Sequence, residues 1–159
     1  MSQGAAMHPS TQVANAFLDL AQANGVSLTP MQLIKLVYIA HGWMLALYDK
    51  PLISDEVQAW KFGPVIPELY RYVAKFRAGP VVGRLPEPPA PRFDEQEDAL
   101  IAEVFEKYGK RSGGALSSLT HRPDTPWAHV WKPDSWASPI PNSLIKEHYR
   151  ALADTYGQN

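Results

Sequence analysis

The segment over residues 31–48 constrains the fold of this chain more than any other part of the sequence. Thr29 and Gln32 stand at its start in the order of a capping box, in which each side chain binds the backbone N–H of the other residue. Apolar side chains then occupy most sides of the helix and not one stripe; they are Leu33, Ile34, Leu36, Val37, Ile39, Ala40, Leu45 and Leu47. Such a helix has to be covered by several neighbours, so the segment predicts a central buried helix that ends at Asp49-Lys50-Pro51.

Shorter amphipathic helices are predicted before and after this segment. The first runs to Asn24-Gly25 and has Ser10 or Thr11 available as its cap. Later helices are expected to open at Pro67, at Asp94 with Glu97 as a second capping box, after Ser112, at Thr125-Pro126 and at Asn142. Together these patterns predict a mainly α fold, a single compact helical domain of about five to seven helices over residues 10–157.

Three stretches interrupt the helical pattern. Residues 1–9 are expected to form a loose N-terminal tail. Near residues 52–60, the alternation of Val57 and Ala59 around Gln58 predicts a short β element, and Gly63-Pro64 is expected to reverse the chain. A Pro-rich loop over residues 79–92 holds five of the 15 prolines and is therefore expected to be extended and stiff.

The composition excludes several classes of protein. The 15 Lys and Arg residues nearly balance the 16 Asp and Glu residues, so there is no long-range attraction to nucleic acid or to an anionic membrane. The chain has no cysteine, which excludes disulfides and thiolate chemistry and fits a reducing compartment. Gln32, Lys35 and His41 make the central segment too polar for a membrane span. We therefore expect a cytoplasmic protein with no membrane partner.

The sequence contains none of the common spacings for catalysis or cofactor binding. A Gly-rich phosphate loop, a dinucleotide fingerprint, HExxH and GxSxG are all missing. The five histidines do not form a closely spaced pair of metal ligands. We therefore expect no enzymatic activity, no catalytic residue, no metal, no cofactor and no small-molecule substrate.

Two histidines leave a choice between chemistry and structure. His41, inside the central helix, is either a general base or, as we favour, a histidine that is hydrogen-bonded at the margin of the core. His121 precedes Asp124, and with Ser117 or Ser118 these residues would give a hydrolase. Because no oxyanion motif accompanies them, we favour a role for His121 in stabilising a turn.

Basic and aromatic residues suggest two surfaces. One set is either a phosphate-contacting patch or a solvated helix face; it comprises Arg71, Lys75, Arg77 and Arg84 with Tyr70 and Tyr72. The second set is the five tryptophans, at positions 43, 60, 127, 131 and 136. Most lie beside proline, glycine or a loop, where an indole either fills the margin of a core or anchors a partner protein.

Three blocks of sequence carry a resemblance to a known family. They are residues 32–38 with Gly42-Trp43, the block Ala-Trp-Lys-Phe-Gly-Pro-Val-Ile-Pro at residues 59–67, and Leu119-Thr120-His121 with Pro126-Trp127. In this order they resemble the Panacea domain, and more narrowly the SocA-type antitoxins, from about Val13 to the C-terminal helix.

The resemblance implies an antitoxin: a helical domain encoded beside a toxin protein, which it binds and, in the SocA type, presents to an ATP-dependent protease as an adaptor. The alternative is a DNA-binding regulator of its own operon, because the helix at residues 67–77 is basic. Lys61 and Phe62 either pack inward or form a contact surface. The residues predicted to bind a partner are Trp60, Lys61, Phe62, Tyr70, His121, Trp127 and Trp131.

Overall fold

The apolar segment forms α2 (Pro30–Tyr48) in the computed structural model, which describes residues 7–134 and 137–157. Every residue of α2 from Leu33 to Leu45 is buried, as predicted for a central helix. The other elements, in chain order, are α1 (Ser10–Ala23), β1 (Gln58–Trp60), β2 (Gly63–Val65), α3 (Pro67–Val73), one 3₁₀ turn (Ala74–Phe76), α4 (Glu95–Tyr108), α5 (Gly113–Thr120), α6 (Pro126–Val130), β3 (Ser138–Pro139) and α7 (Asn142–Gly157). Within the described residues, seven α-helices and one small sheet confirm the predicted mainly α fold with a short β element.

Both predicted capping boxes are confirmed. The Thr29 hydroxyl accepts a hydrogen bond from the backbone N–H of Gln32 at the start of α2. At the start of α4, Asp94 and Glu97 bind each other's backbone N–H groups at 2.8 and 2.9 Å. Each box satisfies two backbone donors that the first helical turn would otherwise leave unpaired.

The start of α1 differs from the prediction. Ser10 and Thr11 are both buried and do not cap the helix; instead the Asp55 carboxylate accepts a hydrogen bond of 2.7 Å from the Ser10 backbone N–H. Of the predicted tail over residues 1–9, residues 1–6 lie outside the described residues. His8 is fully buried, because its Nε2 lies 3.1 Å from Glu97 and its backbone bonds to residues 52 and 54.

The small sheet has the strand order β2-β1-β3, and both pairings are antiparallel. The chain reversal predicted at Gly63-Pro64 occurs two residues earlier, at Lys61-Phe62, because Gly63 pairs with Trp60 as the first residue of β2. Gly63 has a φ of +122°, which side chains disfavour, so this position still requires glycine.

The Pro-rich segment contains no helix or strand between Phe76 and Glu95. The Asn15 side chain of α1 holds it by donating to the Leu85 carbonyl at 2.9 Å and accepting from the Leu85 N–H at 2.8 Å. The segment therefore lies against α1 as a fixed connection.

The C-terminal half of α2 packs closely against α7. A Cβ added at Gly42 would lie 2.3 Å from the Tyr149 ring, so the two helices meet where α2 has no side chain. His41 is buried beside this contact: its Nε2 donates to Asn142 Oδ1 at 2.9 Å, and its Nδ1 accepts from the Leu52 backbone at 3.2 Å. These hydrogen bonds and the burial agree with the favoured interpretation of a histidine that is hydrogen-bonded at the margin of the core. Burial lowers the pKa of His41 to about 4.

Within the described ranges, not one helix is both long and apolar enough to cross a bilayer.

Candidate partner-binding groove

The hairpin of β1 and β2 presents two side chains at its tip. The turn between the strands consists of Lys61 and Phe62, and both are exposed, Phe62 by 65%. The Lys61 ammonium lies 5.5 Å from the centre of the Phe62 ring. Of the two alternatives for these residues, the structure therefore shows the outward orientation.

Side chains from three helices hold the backbone of this hairpin. Trp127 of α6 donates from its indole Nε1 to the Trp60 carbonyl. Ser117 of α5 donates to the Phe62 carbonyl at 2.7 Å, and Lys35 of α2 donates to the Pro64 carbonyl, also at 2.7 Å. We call Lys35, Ser117 and Trp127 the carbonyl clamp. Because each carbonyl is fixed by a different helix, the clamp sets the position of the hairpin tip relative to the helical core.

Lys35 is the least expected member of the clamp. Its side chain is almost entirely buried, and this burial lowers the pKa of its ammonium group to about 7. A Cβ added at Gly63 would lie 3.0 Å from the Lys35 Nζ, so the hairpin backbone passes directly over the amine. The sequence offered one signal of this role, a lysine inside an otherwise apolar helix.

An open groove of about 730 Å³ lies between the start of α2, the hairpin, the 3₁₀ region and the chain after α6. Pockets that bind ligands typically have volumes of about 300–1,000 Å³. The residues that line the groove are Pro30, Met31, Ile34, Lys35, Trp60, Lys61, Phe62, Val65, Tyr70, Arg77, Trp131 and Pro133.

The groove and its rear wall bring together all the residues that the sequence predicted to bind a partner. Trp60, Lys61, Phe62, Tyr70 and Trp131 line it directly. Behind them, the Trp127 ring stacks on the Trp131 ring at 5.1 Å, and the His121 ring meets Trp127 edge-on at 5.2 Å. Their common location is established by the structure, whereas their role in binding a partner remains a prediction.

The charge in the groove has one sign. Lys35, Lys61 and Arg77 line it, and among the lining residues in the described part of the chain there is no Asp or Glu. Trp131 adds an indole Nε1 that is buried and has no acceptor within the described residues. A surface of this kind favours a partner that supplies hydrogen-bond acceptors and apolar side chains.

The alternative surfaces predicted from the sequence are less well formed. Arg71 lies 3.2 Å from Glu68, and Arg84 pairs with Asp19 and Glu87, so nearby carboxylates offset two of the four bases in the proposed phosphate patch. Trp43 is buried in the core, and Trp136 lies outside the described residues.

The possible hydrolase residues are engaged in local hydrogen bonds. The Ser117 hydroxyl donates to the Phe62 carbonyl, and His121 Nδ1 donates to the Ser117 carbonyl at the end of α5. Asp124 hydrogen-bonds through its backbone to His148, and no hydrogen bond joins Asp124 to His121 within the described residues. In those residues there is also no cluster of three or more His, Asp or Glu side chains that could hold a metal ion.

Comparison with known proteins gives the family. The sequence model of the family described as "Antitoxin SocA-like, Panacea domain" matches residues 33–128. The chain belongs to the SocA-like Panacea-domain family. The match spans the complete hairpin and all three members of the carbonyl clamp, whereas four groove residues, Pro30, Met31, Trp131 and Pro133, lie outside it.

A curated relative agrees with this assignment. The chain is 31% identical over 124 residues to the protein named Antitoxin SocA from Caulobacter vibrioides (strain NA1000 / CB15N). The alignment covers 72% of this chain and 66% of the relative. No solved structure matches the chain. The resemblance that the three sequence blocks indicated is therefore confirmed.

Proposed function

We propose that this Panacea-domain protein is an antitoxin that neutralises a toxin protein by binding it in the groove, with Phe62 and Trp131 as the main apolar contacts. The observation that carries the proposal is the exposed aromatic and cationic groove beside a hairpin that is fixed by the carbonyl clamp. Exposed aromatic side chains around a pocket are typical of the few residues that dominate the energy of a protein interface.

The clamp supports tight binding in a second way. Ordering a flexible loop during association costs binding free energy, whereas a hairpin that is already fixed avoids that loss. Lys35, Ser117 and Trp127 therefore act as positioning residues, while Lys61 and Phe62 are the groups that would touch the toxin.

We propose that neutralisation proceeds without a reaction in this chain, in the cytoplasm where the toxin is made. For the SocA type, the expected second step is delivery of the bound toxin to an ATP-dependent protease. This step has its own test, because delivery shortens the lifetime of the toxin only when both this chain and the protease are present. A toxin lifetime that is unchanged by this chain would leave steric neutralisation as the mechanism.

DNA binding has less support than toxin binding. Of the three basic residues in the 67–77 helix that motivated it, Arg71 is paired with Glu68 and Arg77 lies in the groove. A mobility shift on the upstream DNA over a range of salt concentrations tests this alternative, since phosphate contacts weaken steeply with salt.

The experiment that tests toxin binding uses the product of the neighbouring gene, which the family resemblance marks as the candidate toxin. The gene is expressed in host cells together with this chain, which is either wild type or the Phe62→Ala variant. The surviving colonies are then counted. Leu47→Ala is the matched control, because Leu47 is 50% exposed near the opposite end of α2. We expect wild type and Leu47→Ala to restore growth and Phe62→Ala to fail. Equal protection by all three would contradict the proposed contact surface.

A further inference from the structure

The polar groups that line the groove are almost all hydrogen-bond donors. Lys61, Arg77 and the Trp131 indole can only donate, Lys35 donates to the Pro64 carbonyl, and in the described residues the Tyr70 hydroxyl is the strongest acceptor among the lining side chains. An interface whose side chains supply few acceptors selects a partner that brings them.

Two of these donors are buried without a full set of acceptors. The Lys35 ammonium has three N–H groups, and the hydrogen bond recorded for it runs to the Pro64 carbonyl. The Trp131 Nε1 has no acceptor among the described residues. A buried donor without an acceptor is unfavourable by about 1–3 kcal/mol, so these two groups lower the stability of the free protein.

The other two donors lie on the exposed rim of the groove. Lys61 and Arg77 are exposed, and in the ranges that the structure describes no carboxylate lies within 4.0 Å of either one. Their charges are therefore available to an incoming carboxylate. The aromatic walls between them are apolar, which calls for an apolar side chain next to that carboxylate.

We propose that the groove binds a segment of the toxin that carries an apolar side chain next to an Asp or Glu, with the apolar side chain against Phe62 and Trp131 and the carboxylate on Lys61 and Arg77. This inference rests on the proposed function and adds the chemistry of the segment to it. Single-stranded nucleic acid also combines anions with rings that stack on aromatic side chains. The protein segment is favoured because the chain carries a net charge of −1 and belongs to an antitoxin family.

The first test measures the dissociation constant of the complex with the neighbouring gene's product, by calorimetry at several salt concentrations. Lys61→Met and Arg77→Met each remove one positive charge and keep an unbranched side chain. The control is Lys110→Met, because Lys110 is exposed and lies outside the groove. We expect each groove variant to weaken binding about threefold to fivefold and the double variant to flatten the salt dependence. Lys110→Met should bind as wild type does.

The second test identifies the acidic partner directly. A carbodiimide joins an amine to a carboxylate without a spacer, so it couples only groups that already lie in contact. Mass spectrometry of the treated complex should find Lys61 joined to an Asp or Glu of the toxin whose neighbours include an apolar residue. Failure to find this peptide, in a sample where other cross-links form, would contradict the inference.

The outcomes separate this inference from the proposed function. If Phe62→Ala abolishes binding while Lys61→Met and Arg77→Met change neither the affinity nor its salt dependence, the acidic segment is wrong and the toxin-binding groove stands. If none of these variants changes the affinity, or if the neighbouring gene's product does not bind, the proposed function and the acidic segment are both wrong. If a labelled oligothymidine binds wild type, loses affinity in Lys61→Met and displaces the toxin, the groove is a nucleic-acid site and the inference is overturned.

Discussion

The two halves of α2 each bury an ionisable side chain, but they surround it differently. In the C-terminal half, His41 has partners on both ring nitrogens and is covered by α7 and by residues 52 and 53. In the N-terminal half, Lys35 donates to the Pro64 carbonyl and lines an open groove. Burial lowers the pKa of both groups, to about 4 for His41 and to about 7 for Lys35.

We call the C-terminal half of α2, with the part of α7 that covers it, the closed half, because it stabilises the fold. The N-terminal half of α2, with the hairpin that Lys35 holds, is the open half, because it presents a surface. A buried polar group that is fully hydrogen-bonded costs little, so the His41 region can be closed and tightly packed. A buried amine beside a groove is unfavourable for stability, and here it fixes the hairpin through its hydrogen bond to the Pro64 carbonyl.

The largest effect is expected in the closed half, for Gly42→Ala. The new Cβ would lie 2.3 and 2.4 Å from two carbons of the Tyr149 ring, so α2 and α7 would have to separate. We expect the free energy of unfolding to fall by about 3 kcal/mol in urea denaturation, the upper part of the range for overpacked cores. Gly114→Ala is the control: its Cβ would meet nothing closer than 3.9 Å, and we expect no loss of stability. A Gly42→Ala protein as stable as wild type would show that the helices are not closely packed.

The next largest effect is a pH dependence of the free energy of unfolding, caused by Lys35 in the open half. The pKa of Lys35 falls from 10.5 in the unfolded chain to about 7 in the folded one, so between these values the unfolded chain binds more protons. Stability should therefore rise with pH, by about 2 kcal/mol between pH 7 and 9 at the theoretical slope for one group. Urea denaturation across this range checks it. Lys35→Met should lose this rise, and a variant that keeps it would show that another group is responsible.

His41 should give a smaller pH dependence at acid pH. Its folded pKa of about 4 lies below the unfolded value of 6.5, so stability should fall as the pH drops through this interval. We expect His41 to contribute a loss of about 1.5 kcal/mol between pH 6.5 and 5. The measurement is the difference between wild type and His41→Gln, because His148 also has a pKa lowered by burial and stays in both proteins. Identical acid sensitivity of the two proteins would contradict a buried neutral His41.

The smallest effect on stability is expected for Phe62→Ala in the open half. Because the Phe62 ring is 65% exposed, its removal should change the free energy of unfolding by no more than about 0.5 kcal/mol. Thermal and urea unfolding of the purified variant check this. A loss of several kcal/mol would mean that Phe62 supports the core, and the survival experiment with this variant could then no longer be interpreted as a loss of binding.

The helices were easier to predict from the sequence than the hairpin and its groove. The central helix and both capping boxes follow from local spacing, since each cap joins residues only three apart. The carbonyl clamp joins residues that are 29, 55 and 67 positions apart, and periodicity carries no information about such contacts. The seven predicted partner residues came from the family blocks, from tryptophans near loops and, for Tyr70, from the basic helix, and only the fold shows that they meet.

Two local errors have the same origin. Gly63-Pro64 has the composition of a turn, but Gly63 begins a strand, because pairing with Trp60 places the reversal at Lys61-Phe62. The segment before α1 reads as a tail, yet His8 is buried by contacts to residues 52 and 97, which are distant in sequence. In both places, tertiary pairing overrides the local signal.

The most direct test of the toxin-binding groove is hydrogen–deuterium exchange of this chain, alone and in complex with the neighbouring gene's product. It needs no variant, so it does not depend on any substitution folding. We predict that exchange slows in peptides that cover the hairpin, residues 58–65, and the chain at 131–134, while α7 (Asn142–Gly157) is unchanged. Slower exchange confined to α7 or α1, with the hairpin unchanged in a saturated complex, would contradict the account.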